Sequence, residues 1–210
     1  MQASKRNAFR KSTAKLFIIV GNTPGDQNSA NGKDLIIQAV DSMGALHAEI
    51  IPKYTSRGKK SDDGNEMICN CTFAPNEDGT YDVNAGKEKV QCDIVYSRKG
   101  NMYGFNSKEI WNGLKRGMFQ VVVISEVETI NRLREIFGGL VILIYVHSHN
   151  WEKPTEDGQD DEQKVAEEFK LYSQNFDVFN HVLIYEDKAE DLYDQMFRLF
   201  KAYEKNMLVK

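Results

Sequence analysis

The stretch of residues 16–33 reads LFIIVGNTPGDQNSANGK and combines an apolar run with a glycine-containing loop. Its first part, Leu16–Val20, is continuously apolar, which is typical of a strand covered on both faces, as in parallel sheets. A loop rich in Gly, Asn and Asp follows at Gly21–Gly32, and apolar residues then recur at helical spacing from about Lys33 to Ser42. The chain is therefore predicted to open with a strand, a glycine loop and a helix.

Further along the chain, short apolar runs alternate with amphipathic stretches. We predict strands at Ala48–Ile51, Phe119–Ile124, Leu140–Val146 and His181–Tyr185, and helices at Ser107–Lys115 (capped by Ser107), Val127–Phe137, Glu162–Asn175 and Ala189–Lys205. This alternation indicates right-handed βαβ units and an α/β fold with a doubly wound parallel sheet. Between Lys53 and Asn101, polar turns and a strand at Lys89–Ser97 predict a small antiparallel insertion.

The composition argues against several classes of protein. The 210 residues carry a formal charge of −4, which does not fit a generic nucleic-acid binder. The longest apolar run, Leu140–Val146, is far shorter than the roughly 20 residues that cross a bilayer. Met1–Lys15 lacks the apolar stretch of a signal peptide and is predicted to be a flexible lead-in. Three cysteines, an odd number, argue against a disulfide scaffold and favour a reducing, cytoplasmic location.

The loop after the first strand has several properties of a phosphate-binding loop. Ligands of such folds lie beyond the carboxyl ends of the strands, where glycine N–H groups and a helix N-terminus favour phosphate. The glycines here are Gly21, Gly25 and Gly32. Lys33 opens the helix and would reach the outer phosphates. Asp34 stands where Ser or Thr is usual, and it would either reach magnesium or one of its waters or add negative charge beside the phosphates and weaken their binding. The alternative is a strand–loop–helix connection in which these residues only cap the helix.

Three other segments resemble those of guanylate kinases. Residues 54–64, YTSRGKKSDDG, resemble the family's Thr-Thr-Arg-x-x-Arg-x-Gly-Glu-x-x-Gly stretch. Residues 100–104, GNMYG, are similar to its Gly-Asn-Tyr-Tyr-Gly, and residues 176–187 resemble the segment before its last helix. The resemblance covers about Leu16–Lys205, with the segments in the family's order and spacing.

The resemblance implies the architecture of a P-loop nucleoside monophosphate kinase. One domain, residues 16–210, would have three α/β/α layers around a central parallel sheet. It would carry a monophosphate-binding subdomain at residues 53–106 and a lid at residues 147–168. The implied reaction transfers a phosphoryl group from ATP, with Mg²⁺, to GMP or a related acceptor. Because this chemistry depends on positioning and charge neutralisation, cations matter most.

The resemblance also implies roles for individual residues. Lys33 would hold the donor phosphates, and Arg57 would grip the acceptor phosphate. Lys60 replaces the family's second arginine, which keeps the charge but loses the bidentate geometry. Tyr103 matches a tyrosine of the acceptor site. Asp93 is an unaligned substitute for the acid that reads guanine.

The chain also departs from the family. Met67 replaces a phosphate-contacting tyrosine, and Val123 and Ser125 stand where the family has Asp-x-Asp. Residues 145–180 contain no arginine, although the family's lid closes with arginines onto the transferring phosphate. Two hypotheses follow. One is a kinase with an altered acceptor, and the other is a module that has lost turnover and binds a nucleotide or a protein partner. The expected partner is a nucleotide or phosphorylated small molecule or, under the second hypothesis, a protein; neither a membrane nor generic nucleic-acid binding is expected.

Other polar or reactive residues are better explained without a ligand. His147 and His149 begin no convincing set of four zinc ligands, so a polar loop pair is favoured. Cys69 and Cys71 lack a second cysteine pair and are predicted to be buried small side chains. The aromatic stripe at residues 193–203 has helical spacing and is predicted to face the core.

Overall fold

The computed structural model describes residues 14–20, 36, 40, 48–60, 63–64, 66–124, 126–148, 170, 173–174, 176–185 and 189–208. The predicted lead-in, Met1–Lys15, is described only at its last two residues. The predicted helix at Glu162–Asn175 falls almost entirely outside the described residues. Of the predicted helix at Lys33–Ser42, Ile36 and Val40 are described, and both are helical and buried.

A five-stranded parallel sheet forms the centre of the molecule. Its strands are β1 (Leu16–Val20), β2 (Ala48–Ile50), β10 (Phe119–Val123), β11 (Val141–Ser148) and β12 (His181–Tyr185). They lie in the order β12-β11-β1-β10-β2, and each neighbouring pair is parallel. The predicted α/β fold with a doubly wound parallel sheet is confirmed. The predicted strand boundaries differ from the observed ones by at most two residues.

Both faces of the central sheet are buried, which explains the continuous apolar run of β1. Phe17 and Ile19 point into one hydrophobic cluster together with Phe200, while Leu16 and Ile18 point into another on the opposite face. Successive side chains of a strand alternate between faces, so a strand covered on both sides favours apolar residues at every position. Helices on both faces complete the three layers.

Among the described residues, three helices with defined bounds cover these two faces. They are α1 (Ser107–Lys115), α2 (Val127–Phe137) and α3 (Ala189–Leu208). The helix α2 was predicted with these bounds, because its apolar residues recur at helical spacing. The prediction that Ser107 caps α1 is wrong: Asn106 is the N-cap, and its side chain accepts a hydrogen bond from the Lys108 N–H. Short 3₁₀ turns lie at Gly138–Leu140 and Phe176–Val178.

The insertion between β2 and α1 contains two small sheets. One has the order β4-β3-β9-β8, with β3 at Lys53–Thr55, β4 at Met67–Ile68, β8 at Ile94–Arg98 and β9 at Asn101–Phe105. The other is antiparallel and contains β5 (Thr72–Pro75), β6 (Tyr81–Ala85) and β7 (Glu88–Cys92). The insertion is not wholly antiparallel, because β3 and β4 pair in parallel.

The predicted single strand at Lys89–Ser97 is wrong, since β7 and β8 belong to different sheets. β7 ends at Cys92 and β8 begins at Ile94, so Asp93 lies between the two strands. The Asp93 carboxylate accepts hydrogen bonds from the Ser107 N–H and the Ser107 hydroxyl at the start of α1. A carboxylate at a helix N-terminus accepts a hydrogen bond from a backbone N–H and interacts favourably with the positive end of the helix dipole. This bond to a residue fourteen positions away lies at the break in a strand that the residue pattern alone would continue.

Within the residues that the structure describes, no helix is both long enough and apolar enough to cross a membrane. The predicted aromatic stripe of α3 is confirmed as core: Met196 and Phe200 are fully buried, and Tyr193, Phe197 and Tyr203 pack against them.

Gly113 in α1 allows the helix to approach β10 closely. A Cβ atom at this position would lie 2.1 Å from Gln120 Nε2, and Gln120 is fully buried with that nitrogen donating to Glu49 at 2.9 Å. We expect Gly113→Ala to lower the free energy of unfolding by about 1–3 kcal/mol, because overpacking outweighs the better helix propensity. Urea denaturation measures the change.

Gly139→Ala is the matched control. A Cβ atom there has nothing within 4 Å, so its unfolding free energy should stay within about 0.5 kcal/mol of the wild type. Equal effects of the two substitutions would contradict the close packing of α1 on β10.

Candidate functional site

A cleft of about 210 Å³ opens where the insertion meets the carboxyl end of β10. In a parallel sheet, this edge is where ligands bind. Strands of the central sheet and of the β4-β3-β9-β8 sheet contribute, together with the segment that leads into α2. The lining residues are Lys53, Arg57, Met67, Tyr96, Arg98, Tyr103, Val123, Ile124 and Glu126.

Arg57 is fixed at the cleft by a carboxylate. Its Nη1 lies 2.7 Å and its Nη2 lies 2.5 Å from the two oxygens of Asp63. The Arg57 side chain is 17% exposed and that of Asp63 only 3%. Asp63 also accepts a hydrogen bond from the Lys60 N–H at 2.8 Å and contacts Cys69 Sγ. The two-bond pair fixes the plane of the guanidinium, which is how arginine acquires a defined orientation toward an anion.

The ion pair lowers the pKa of Asp63 and raises the pKa of Arg57, which favours the charged form of both groups. Hydrogen bonds from Arg57 hold the pKa of the Asp63 carboxyl well below its ordinary range, against the opposing effect of burial. The bond to Asp63 raises the pKa of Arg57, and Tyr103 contributes to the same shift. Both groups are therefore charged throughout the physiological range, and the Tyr103 side chain lies within interaction distance of the guanidinium.

The backbone around Arg57 is held by the neighbouring strand. The Thr55 hydroxyl accepts from the Arg57 N–H at 3.3 Å and donates to the Met102 carbonyl at 2.9 Å. The Asn70 N–H donates to the Arg57 carbonyl at 2.9 Å. Thr55 is fully buried, so its hydroxyl serves this connection and not solvent. Arg57 therefore leaves β3 in a direction fixed by Thr55 at the end of β3 and by two other parts of the insertion, at Met102 and Asn70.

A hairpin carries the aromatic wall of the cleft. The turn between β8 and β9 contains Lys99 and Gly100, with φ of 48° and 75°. Two positive φ values in a two-residue hairpin turn match the right-handed twist of the strands. Tyr96 and Tyr103 face each other across this hairpin and stack, with ring centroids 5.1 Å apart and an interplanar angle of 11°. Burial raises the pKa of Tyr96, so its hydroxyl stays neutral.

Two further charged groups of the cleft were missed by the sequence reasoning. Arg98, the last residue of β8, pairs with Glu126 at 3.0 Å. Lys53 donates to the Val123 carbonyl at 2.6 Å and lies over the Phe105 ring at 5.6 Å. A basic residue two positions before the GNMYG motif was the available signal for Arg98. Glu126 supplies a carboxylate just beyond β10, although Val123 itself is apolar, as the sequence indicated.

Of the predicted acceptor-site residues, Arg57 and Tyr103 meet in the cleft. Lys60 is exposed, and it is its backbone N–H that joins the cluster through Asp63. Asp93 does not line the cleft: it holds the start of α1 and borders a neighbouring groove of about 560 Å³ that shares Tyr96 and Glu126 with the cleft. Met67, which replaces a family tyrosine, does line the cleft.

The predicted donor-side residues fall outside the described residues. These residues are Gly21, Gly25, Gly32, Lys33 and Asp34. So do Ser125 and almost all of the predicted lid at residues 147–168, of which β11 includes the first two. β1 ends at Val20, beside the end of β10. β1, which the predicted glycine loop follows in the sequence, thus lies beside the strand that ends at the cleft.

The cysteines carry no metal site in the described part of the chain. Cys69, Cys71 and Cys92 are free thiols, and no group of three His, Cys, Asp or Glu side chains is arranged for a metal among the described residues. Cys71 is buried as predicted, whereas Cys69 is half-buried. Burial raises the pKa of the Cys92 thiol to about 12, which makes it unreactive. His149 lies outside the described residues.

Of three comparisons with known proteins, the comparison with solved structures alone finds a match. No protein-family model and no curated protein sequence matches the chain. Among solved structures, the chain is similar to guanylate kinase from Anaplasma phagocytophilum, with a TM-score of 0.58 and 10% sequence identity. The alignment covers 91% of this chain and 87% of that one. The resemblance in fold is therefore confirmed over nearly the whole chain.

Proposed function

We propose that this chain, with its guanylate kinase-like fold, binds a nucleoside monophosphate or related phosphate ester in the cleft and transfers to it a phosphoryl group from ATP. The observation that carries the proposal is the Arg57–Asp63 pair. It presents a fixed, permanently charged guanidinium beside Tyr103, at the carboxyl edge of a parallel sheet. The bonds to Asp63 and a further Nη1 bond to the Gly58 carbonyl at 2.9 Å leave N–H donors on Nε and Nη2, which would bind a phosphate monoester.

The residues of the cleft would act by positioning and by neutralising charge. Arg57 would bind the acceptor phosphate, with the Tyr103 hydroxyl as a second polar contact, and Lys60 would add positive charge from the exposed side. The Tyr96–Tyr103 stack would form an apolar wall that limits water. Phosphoryl transfer needs little covalent chemistry from the protein, so such groups account for most of the catalysis.

The donor side of the proposal rests on the sequence. Gly21, Gly25, Gly32 and Lys33 would hold the ATP phosphates, and Asp34 would hold Mg²⁺ directly or through water. When bound, Mg²⁺ neutralises the negative charge of the donor phosphates.

The acceptor is proposed to differ from GMP. The family's Asp-x-Asp is replaced at Val123 and Ser125, and Asp93 is engaged by Ser107. The carboxylate that does line the cleft, Glu126, is paired with Arg98. We therefore expect GMP to be a poor substrate.

The second candidate function is a binding module without turnover. The observation that favours it is the absence of arginine from residues 145–180, since a cation on the transferring phosphoryl group is worth several orders of magnitude in rate. In that case the cleft would bind a nucleotide, or a protein partner would use the same fold.

Calorimetry with a panel of nucleoside monophosphates tests the proposal. We expect one of them to bind the wild type, and Arg57→Lys to weaken that binding about tenfold, because lysine keeps the charge but loses the two-point geometry. Arg116→Lys is the matched control, since Arg116 pairs with Glu49 at 2.9 Å outside the cleft. Its affinity should equal that of the wild type.

Three outcomes separate the candidates. If no monophosphate binds at millimolar concentration with Mg²⁺ present, the proposed function is wrong. If a monophosphate binds in an Arg57-dependent way but ATP yields no diphosphate product in a coupled assay, the binding module is correct. Turnover of GMP at ordinary kinase rates of about 1–100 per second would contradict the altered acceptor.

A further inference from the structure

The cleft contains two arginines that are anchored in different ways. Arg57 forms two short bonds to Asp63, whose side chain is only 3% exposed. Arg98 lies 3.0 Å from Glu126, and the side chains of this second pair are 40% and 21% exposed. A buried two-bond pair has a fixed geometry, whereas the half-buried second pair is more accessible to solvent and is therefore more easily exchanged. Arg57 is thus rigid, and Arg98 can change its anionic partner.

The position of Arg98 follows from the hairpin. It is the last residue of β8, directly before the Lys99-Gly100 turn. Side chains two apart on a strand share a face, so Arg98 lies on the same face of β8 as Tyr96. Tyr96 stacks on Tyr103 and lines the cleft together with Arg98. The hairpin therefore brings a second guanidinium to the cleft that Arg57 also lines.

We propose that Arg98 leaves Glu126 to bind a second phosphoryl group of the ligand, so that the cleft prefers a diphosphate to a single phosphate. This inference rests on the proposed function and deepens it. Arg57 would hold the phosphate that belongs to the acceptor, and Arg98 would hold the phosphoryl group that is transferred. The positive charge on that group then comes from the insertion, and not from residues 145–180, which contain no arginine.

Charge at the cleft supports an exchange of partners. A phosphoryl group that enters beside Arg98 meets the Glu126 carboxylate as a like charge, which favours separation of the pair. Lys53 is a third cation of the cleft, and its ammonium is directed to the Val123 carbonyl at 2.6 Å. Two arginines and a lysine exceed the two carboxylates that pair with the arginines, so the cleft has positive charge available for a dianionic ligand.

Calorimetry with inorganic pyrophosphate and orthophosphate tests the inference. All variants carry Lys33→Ala, so that the predicted donor loop contributes less to the signal. We expect Arg98→Gln to weaken pyrophosphate binding about tenfold and orthophosphate binding less than about twofold. Glu126→Gln, which removes the competing carboxylate, should tighten pyrophosphate binding several-fold. Arg132→Gln is the matched control, because Arg132 pairs with Glu135 at 3.2 Å outside the cleft, and it should change neither affinity.

The outcomes distinguish this inference from the proposed function. If Arg98→Gln weakens both ligands equally, or neither, Arg98 does not bind a second phosphoryl group. If Arg57-dependent monophosphate binding persists without any Arg98-dependent preference, this inference fails and the proposed function stands. If the wild type binds neither monophosphates nor pyrophosphate, both fail. Arg98→Lys guards against a folding defect: it keeps the charge and should retain part of the preference for pyrophosphate.

Discussion

Asp63→Asn is expected to lower the free energy of unfolding by about 2–4 kcal/mol at pH 7. The substitution leaves the Arg57 guanidinium, which is 17% exposed, without the carboxylate that accepts both of its short bonds. Removing one partner of a buried ion pair costs about 3–5 kcal/mol because the remaining charge is uncompensated, and the partial exposure of Arg57 reduces that figure. Urea denaturation followed by circular dichroism measures it.

The stabilisation by Asp63 should also depend on pH in a defined direction. The pKa of Asp63 is lowered in the folded state by Arg57, while in the unfolded chain an aspartate titrates near about 3.9. Stability from such a group is fully present above the unfolded pKa and is lost as the pH falls through the folded one. The difference between wild type and Asp63→Asn should therefore be constant from pH 7 to pH 5 and shrink below about pH 4.

An exposed ion pair provides the control. Arg132 and Glu135 lie 3.2 Å apart with side chains 58% and 68% exposed. Glu135→Gln should change the unfolding free energy by less than about 0.5 kcal/mol. If Asp63→Asn were equally mild, or if its effect grew on acidification, the Arg57–Asp63 pair would not be the anchor of the cleft.

The central sheet could be predicted from the sequence because its signal is local. β1 and β12 have the predicted bounds, and so does α2. Each strand of this sheet is buried on both faces, or lies beside strands that are, and continuous apolarity records this directly. The break between β7 and β8 could not be predicted in this way. It depends on a bond from Asp93 to Ser107, fourteen residues away, and no periodicity records such a contact.

The cleft was predictable only in part for the same reason. Arg57 and Tyr103 were found because short motifs surround them. Arg98 and Glu126 lie in separate parts of the chain, and their pairing is apparent only from the distance of 3.0 Å between them in the structure. The role of Asp63 likewise needed the structure, since the sequence offers two adjacent aspartates, Asp62 and Asp63. Residues that act by pairing with a partner from a distant part of the chain cannot be recognised from the spacing of residues in the sequence.

Phe200→Ala is expected to have the largest effect on stability. Phe200 is fully buried in α3, and its ring packs edge-on against Phe17 at 4.6 Å and lies 6.2 Å from Phe119. Truncation of a buried phenylalanine costs about 3–5 kcal/mol, from lost transfer energy and the cavity that remains. The loss of two aromatic contacts places this site toward the upper end. For a chain of this size, the melting temperature should fall by roughly 10 °C.

Val127→Ala is the matched control, because Val127 is 43% exposed at the start of α2. Its melting temperature should stay close to that of the wild type. Phe17 and Phe119 belong to β1 and β10, the strands whose carboxyl ends lead to the glycine loop and to the cleft. Phe200 itself does not line the cleft. Below its melting temperature, Phe200→Ala should therefore keep the ligand affinity of the wild type. A loss of less than about 1 kcal/mol would contradict the packing of α3 on this face of the sheet.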